Sequence, residues 1–159
     1  MAVQALINLL LTIVWCLITM SFSFGNILLG FLFGLGAIYM MRYFLPGRFY
    51  LRPLIKSIQL GMIFLVELFK ANIDVLKIVL APKIDIQPAF FAYPTKLNKD
   101  WEISLLSMLI TLTPGTVVTA VSDDKKTLYI HAINFSSVEE EVNSIHSTFE
   151  KAIKEIGIR

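Results

Sequence analysis

The sequence has 159 residues, of which 56% are hydrophobic and only 16% charged; 14 Lys and Arg stand against 12 Asp and Glu, a net charge of +2. An ordinary soluble domain carries about 25% charged residues, and a chain this short cannot bury so much apolar surface in one core. The composition excludes a simple water-soluble globule and points to an integral membrane protein.

The charge is unevenly placed. Residues 1–82 hold six basic and two acidic side chains; residues 83–159 hold eight basic and ten acidic ones. A greasy, basic front part and a mildly acidic, well-charged back part follow, read as a membrane part and a water-exposed domain. Nucleic-acid binding needs a basic exposed face, which the acidic back part does not offer. The single Cys16 forms no internal disulfide and leaves the redox compartment open.

No charged residue occurs in the first 41 positions. Residues 3–20 are long enough for one membrane-crossing helix. A cleaved signal peptide fits badly, because no basic segment precedes the apolar run and the run continues into a second one. Gln4, Asn8 and Thr12 recur every four residues, so they share one helical face, which is expected to meet protein rather than lipid. Residues 21–26 read as a short turn. Residues 27–41 form the second apolar run, where Gly30 and Gly34 make the small-xxx-small pattern that lets helices approach closely. A tight transmembrane hairpin is expected.

A basic loop follows, with Arg42, Leu45-Pro46-Gly47-Arg48 and Arg52. Excess basic charge marks the cytoplasmic side of a membrane. Residues 54–80 read as one long helix in which Lys56, Gln59, Ile63, Glu67, Lys70, Asp74 and Lys77 fall on one stripe, with Glu67–Lys70 and Lys70–Asp74 spaced for ion pairs. Only ten uncharged residues separate Lys56 from Glu67, too few for a simple span. An amphipathic helix on the cytoplasmic membrane surface is the preferred reading; a third span with its charges turned to a partner is the alternative. Pro82 closes the segment.

The remainder reads β-α-β-β-α. Strands are expected at 88–93, 116–122 and 127–133, with a helix from Asn98 or Lys99 to about Leu112 and an amphipathic helix from Ser136–Ser137 to about Gly157. Residues 103–122 lack charge and could be taken for another span, but Pro114-Gly115 breaks them and their second half has strand chemistry. The expected fold is thus an α+β membrane protein. It has a transmembrane helical hairpin over 1–45, a basic loop and long membrane-associated helix over 46–82, and a small cytoplasmic α+β domain over 83–159.

No catalytic, cofactor-binding or metal-binding set stands out. His131 and His146 have no cysteine partners and no metal-site spacing. Asp123-Asp124 beside Lys125-Lys126 reads as a solvated turn, and Glu139 to Glu141 as acids favoured at a helix start. No glycine-rich phosphate loop occurs in a strand-turn-helix context. Glu67 and Asp74, the acids nearest membrane depth, each have a lysine within reach. An enzyme is therefore not expected, and neither is a cofactor.

The whole order of features resembles the E subunit of the multisubunit sodium/proton antiporters of the Mrp or Mnh type. The resemblance rests on the uncharged hairpin, on Leu45-Pro46-Gly47-Arg48-Phe49, on the run from Glu67 to Val75, and above all on Leu112-Thr113-Pro114-Gly115-Thr116 followed by Tyr129-Ile130-His131. It implies membership of a bacterial cell-membrane complex that exchanges cytoplasmic sodium for external protons and supports pH homeostasis and salt tolerance. The large subunits of such complexes carry the ion pathways, so this chain would be a non-catalytic accessory. Its partners would be the other antiporter subunits and membrane lipids, not nucleic acid. Gly30, Gly34, Pro46, Gly47, Arg48, Glu67, Lys70, Asp74, Thr113, Pro114, Gly115 and Thr116 are the interface or structural candidates. A self-oligomerising ion conductor and a membrane-tethered cytoplasmic binding domain remain as alternatives.

Overall fold

Two uncharged helices open the chain, α1 (Ala2–Ile18) and α2 (Phe24–Met40), the second running on into a single 3-10 turn at Met41–Tyr43. The computed structural model describes residues 2–44, 49–83 and 86–157. It divides into two compact units, Met1–Leu54 and Ile55–Ile158.

In the first unit the polar stripe of α1 is its buried face: Gln4, Asn8, Thr12 and Cys16 are all shielded, whereas Leu6, Leu9, Leu10, Ile13 and Leu17 are exposed. The stripe packs on Gly30, Gly34 and Ile38 of α2. Position 30 lies beside Trp15 and position 34 beside Asn8, so the helices run antiparallel. A side chain at position 30 would come within 3.0 Å of the Trp15 ring, and one at position 34 would collide with the Asn8 amide. Polar groups shielded from water need partners, and most find them inside the unit. Thr12 Oγ1 donates to the Asn8 carbonyl at 2.8 Å, Asn8 Nδ2 to Tyr50 Oη at 2.5 Å, and the Tyr50 amide to Gln4 Oε1 at 3.0 Å.

The turn is shorter than the expected 21–26. Ser23 caps α2 by accepting from the Asn26 amide at 3.3 Å, which draws Phe24, Gly25 and Asn26 into the helix. Among the described residues one helix, Phe24–Tyr43, is long and apolar enough to cross a membrane, and Val3–Ile18 is a shorter apolar helix. At 1.5 Å per residue, 17 residues reach about 25 Å.

Helix α3 (Leu51–Leu80) has 30 residues, a length of about 45 Å. From Ile55 onward it belongs to the second unit. One face carries Leu60, Ile63 and Phe64 into the core of that unit, and Lys56 pairs with Glu155 at 2.7 Å. The opposite face leaves Ile58, Met62, Leu65, Phe69, Ile73, Leu76 and Leu80 exposed at three- and four-residue steps.

The rest of the unit has the expected β-α-β-β-α order. Strands β1 (Ala89–Pro94), β2 (Thr116–Val121) and β3 (Thr127–Ala132) form an antiparallel sheet in the order β1-β3-β2. Phe91 and Val118 both face Ile130 across the ladder, and a bulge lies between Val118 and Ala120. Helix α4 (Asp100–Leu112) begins after Lys99, so the uncharged stretch over 103–122 divides into a helix and a strand at Pro114-Gly115. The last helix begins as α5 (Val138–Ile145), with Ser137 accepting from the Glu140 amide at 3.2 Å. It passes through one π turn at His146–Glu150 and ends as α6 (Lys151–Gly157). Tyr93, Leu106, Leu128, Ile130 and Ile153 are wholly buried between sheet and helices.

The two seam glycines differ from Gly36, which has open space where a side chain would go. Gly34→Leu is expected to destabilise the hairpin by about 1–3 kcal/mol through overpacking, whereas Gly36→Leu leaves it unchanged. Thermal melting of the purified chain in detergent separates the two.

Candidate functional groove

The segment joining α4 to β2 is Thr113-Pro114-Gly115-Thr116. Proline fixes the second position of the turn, and Gly115 takes φ +95°, open to glycine at little cost. The Thr116 amide closes the turn on the Thr113 carbonyl at 3.3 Å. Both threonine hydroxyls are tied back to α4: Thr113 Oγ1 donates to the Leu109 carbonyl and Thr116 Oγ1 to the Ile110 carbonyl, each at 2.8 Å. The Ile133 amide then donates to the Gly115 carbonyl at 2.8 Å, fastening the turn beside the end of β3. A side chain at position 115 would press on Ile133 at 3.1 Å.

This turn forms one wall of a groove of about 520 Å³. The polar face of α3 forms the second wall, with Glu67, Lys70, Asp74 and Lys77; Glu141, Ser144 and Thr148 of the last helix form the third. Seven of the sequence candidates, far apart along the chain, meet here: Glu67, Lys70, Asp74, Thr113, Pro114, Gly115 and Thr116. Glu67 pairs with Lys70 at 2.7 Å, as its spacing predicts. Asp74 does not share Lys70; it pairs with Lys77 at 2.7 Å. Both observed pairs place the acid N-terminal to the base, the orientation that suits the helix dipole, and Lys70–Asp74 would reverse it.

Glu141 lines the same groove, and its carboxyl is pushed above the usual range, first by burial and then by the neighbouring Glu140 charge. Deeper in the domain, Glu150 is 1% exposed and is held by Tyr93 Oη at 2.5 Å, Thr95 Oγ1 at 3.1 Å and the Lys96 amide at 3.1 Å. Burial, and then the hydrogen bond to Glu150, hold the Tyr93 phenol well above its usual range. Among the described residues no group of three His, Cys, Asp or Glu could hold a metal ion. His131 packs its ring on Phe90 at 4.5 Å.

Residues 8–156 match the family model described as a Na+/H+ ion antiporter subunit. The E1 subunit of the Na(+)/H(+) antiporter of Staphylococcus saprophyticus is 56% identical over 157 residues, covering 99% of this chain and 98% of the relative. The chain belongs to the E-subunit family of the multisubunit Na+/H+ antiporters.

The E1 antiporter subunit of Staphylococcus haemolyticus is similar at 53% identity, over 99% of both chains. Among solved structures, a chain of the membrane-bound sulfane sulfur reductase, an archaeal respiratory membrane complex, matches with a TM-score of 0.56 at 28% identity. The match covers 96% of this chain and 98% of that one. A chain of the Mrp complex from a Dietzia species matches with a TM-score of 0.47 at 25% identity, over 60% of this chain and 89% of that one. As a member of the E-subunit family the chain is part of a transporter, not an enzyme.

Gly30 and Gly34 belong to the helical seam, and Pro46, Gly47 and Arg48 lie outside the described residues. Glu141 and Glu150 were not singled out by sequence. Glu141 reads as one of three acids at a helix start. Glu150 sits beside the apolar Phe149 in the π turn, and both are buried.

Two outcomes follow from this geometry. Gly115→Ala is expected to destabilise the protein by about 1–2 kcal/mol through backbone strain and the Ile133 contact, read by thermal melting in detergent. Glu141 binds its proton more tightly folded than unfolded, so its contribution favours the fold below the ordinary carboxylate range and is lost as pH rises through its raised value. Glu141→Gln should therefore melt higher than the parent at neutral pH, with the difference shrinking on acidification toward pH ~4.

Proposed function

We propose that this E-family chain is a non-catalytic accessory of its antiporter, needed for assembly and full activity in sodium/proton exchange, pH homeostasis and salt tolerance. The observation that carries the reading is the state of the acids. The first 41 residues hold none. Glu67 and Asp74 are each paired with a lysine at 2.7 Å. A proton or sodium path needs ionisable groups free to change state at membrane depth, so that path belongs to other subunits.

In this reading α1 and α2 cross the membrane as a hairpin. Their outward apolar side chains and the glycine seam support it. The basic residues Arg42, Arg48 and Arg52 lie on the cytoplasmic side by charge, and with them the C-terminal domain over 83–159. Helix α3 lies along the membrane surface, its exposed apolar stripe in contact with lipid or with a neighbouring subunit's apolar face. The Lys56–Glu155 pair and the seating of Leu60 in the domain core support this placement, because a helix carrying a charged domain on one face cannot cross hydrocarbon. Gly30, Gly34, Pro46, Gly47, Arg48, Glu67, Lys70, Asp74 and the Thr113–Thr116 turn then act as structural or interface residues.

A tagged chain drawn from native membranes in mild detergent is expected to bring large multi-span subunits with it in fixed proportion. Recovery of the chain alone, under conditions that keep other membrane complexes intact, would overturn the reading. Thr113→Ala removes one hydroxyl bond to α4. It is expected to lower recovery of partner subunits more than it lowers the melting temperature of the chain, and equal losses would assign Thr113 to folding alone.

A further inference from the structure

We propose that the groove between α3 and the last helix receives a polypeptide segment of a neighbouring antiporter subunit, which brings a lysine or arginine to Glu141. The proposal rests on the accessory-subunit reading and names the chemistry of one of its contacts. Three observations carry it.

The first is charge. The acids on the α3 wall are neutralised by lysines one turn along their own helix, at 2.7 Å each. Among the described residues Glu141 enters no ion pair. With Glu67 and Asp74 satisfied, the groove is left with one uncompensated negative charge.

The second is hydrogen-bonding capacity. The Thr113 and Thr116 hydroxyl protons are spent on α4 carbonyls, so what these hydroxyls offer the groove is acceptor oxygen. The Glu141 carboxylate adds more acceptors. These acceptors fit an ammonium or guanidinium group and backbone N–H donors.

The third is size and cost. A volume of about 520 Å³ suits several side chains and far exceeds what a bare ion needs, and no metal-binding group of acids and histidines is assembled among the described residues. A part-buried carboxylate without a cation is unfavourable in the isolated chain, as its raised proton affinity attests. An incoming basic side chain turns that cost into a charge-assisted contact.

The test uses the intact complex in native membranes. A photo-crosslinking amino acid replaces Ser144 or Thr148, which share the groove wall with Glu141. The expected product joins this chain to one neighbouring subunit, at a peptide containing a lysine or arginine. Glu141→Lys is expected to reduce that product by at least about tenfold, the factor set by one charge pair, and reversing the charge of the partner's basic residue should restore it. Co-purification of the other subunits, measured in the same samples, reads the accessory role separately. Loss of all partners from the unmutated chain would sink that role, and the docking proposal with it. An assembled complex with no cross-link to a neighbouring subunit, a cross-linked peptide without a basic residue, or a product unchanged by Glu141→Lys would overturn the docking proposal alone. If Glu141→Lys fails to accumulate, Glu141→Gln decides by the same readout: a fall in product supports the proposal and an unchanged yield overturns it.

Discussion

Helix α3 must satisfy two different environments at once, and the second unit is arranged around that division. Its 30 residues place a mixed face with Leu60, Ile63, Glu67 and Asp74 against the domain, and a largely apolar face on the other side. The domain-facing side is anchored at one end by apolar packing and the Lys56–Glu155 pair, while further along it opens into the groove. Self-contained Glu67–Lys70 and Asp74–Lys77 pairs keep the charges of that stretch satisfied without demanding anything from the facing wall. That is why a groove remains there instead of a closed interface.

The same rule about shielded polar groups governs both units. In the hairpin, Gln4, Asn8 and Thr12 lie on the inner face, and Tyr50 bonds Gln4 and Asn8. In the domain, Glu150 is tolerated at full burial because a phenol, a hydroxyl and a backbone amide converge on it. Glu141 is shielded enough to feel desolvation, yet enters no ion pair among the described residues. An unbalanced group on the wall of a groove is a different matter from one in a core, because something from outside can still reach it.

Periodicity carried much of the architecture. The four-residue recurrence of Gln4, Asn8 and Thr12 marked the inner face of α1, and the amphipathic pattern from Ser136–Ser137 to about Gly157 marked the last helix. Pro114-Gly115 correctly divided an uncharged stretch that a hydropathy argument alone could have sent across the membrane. The misjudged details are those where a single local bond moved a boundary or a partner. Ser23 lengthened α2, and helix-dipole orientation gave Asp74 to Lys77. A periodic pattern identifies a face but does not choose among several neighbours on that face.

The sequence by itself determined the membrane character, the order of elements, the seam glycines and the family resemblance, because hydrophobic period, turn chemistry and charge content are local properties of the chain. Tertiary structure decided that β3 is the central strand, that α3 packs on the C-terminal domain, and that the Thr113–Thr116 turn shares a groove with Glu67, Asp74 and Glu141. It also decided which acids are satisfied: Glu150 by residues more than fifty positions away, Glu141 by no ion pair within the described residues. Such facts depend on which distant segments meet. Many pairings of faces are compatible with one local pattern, and only the packing of the whole domain selects among them.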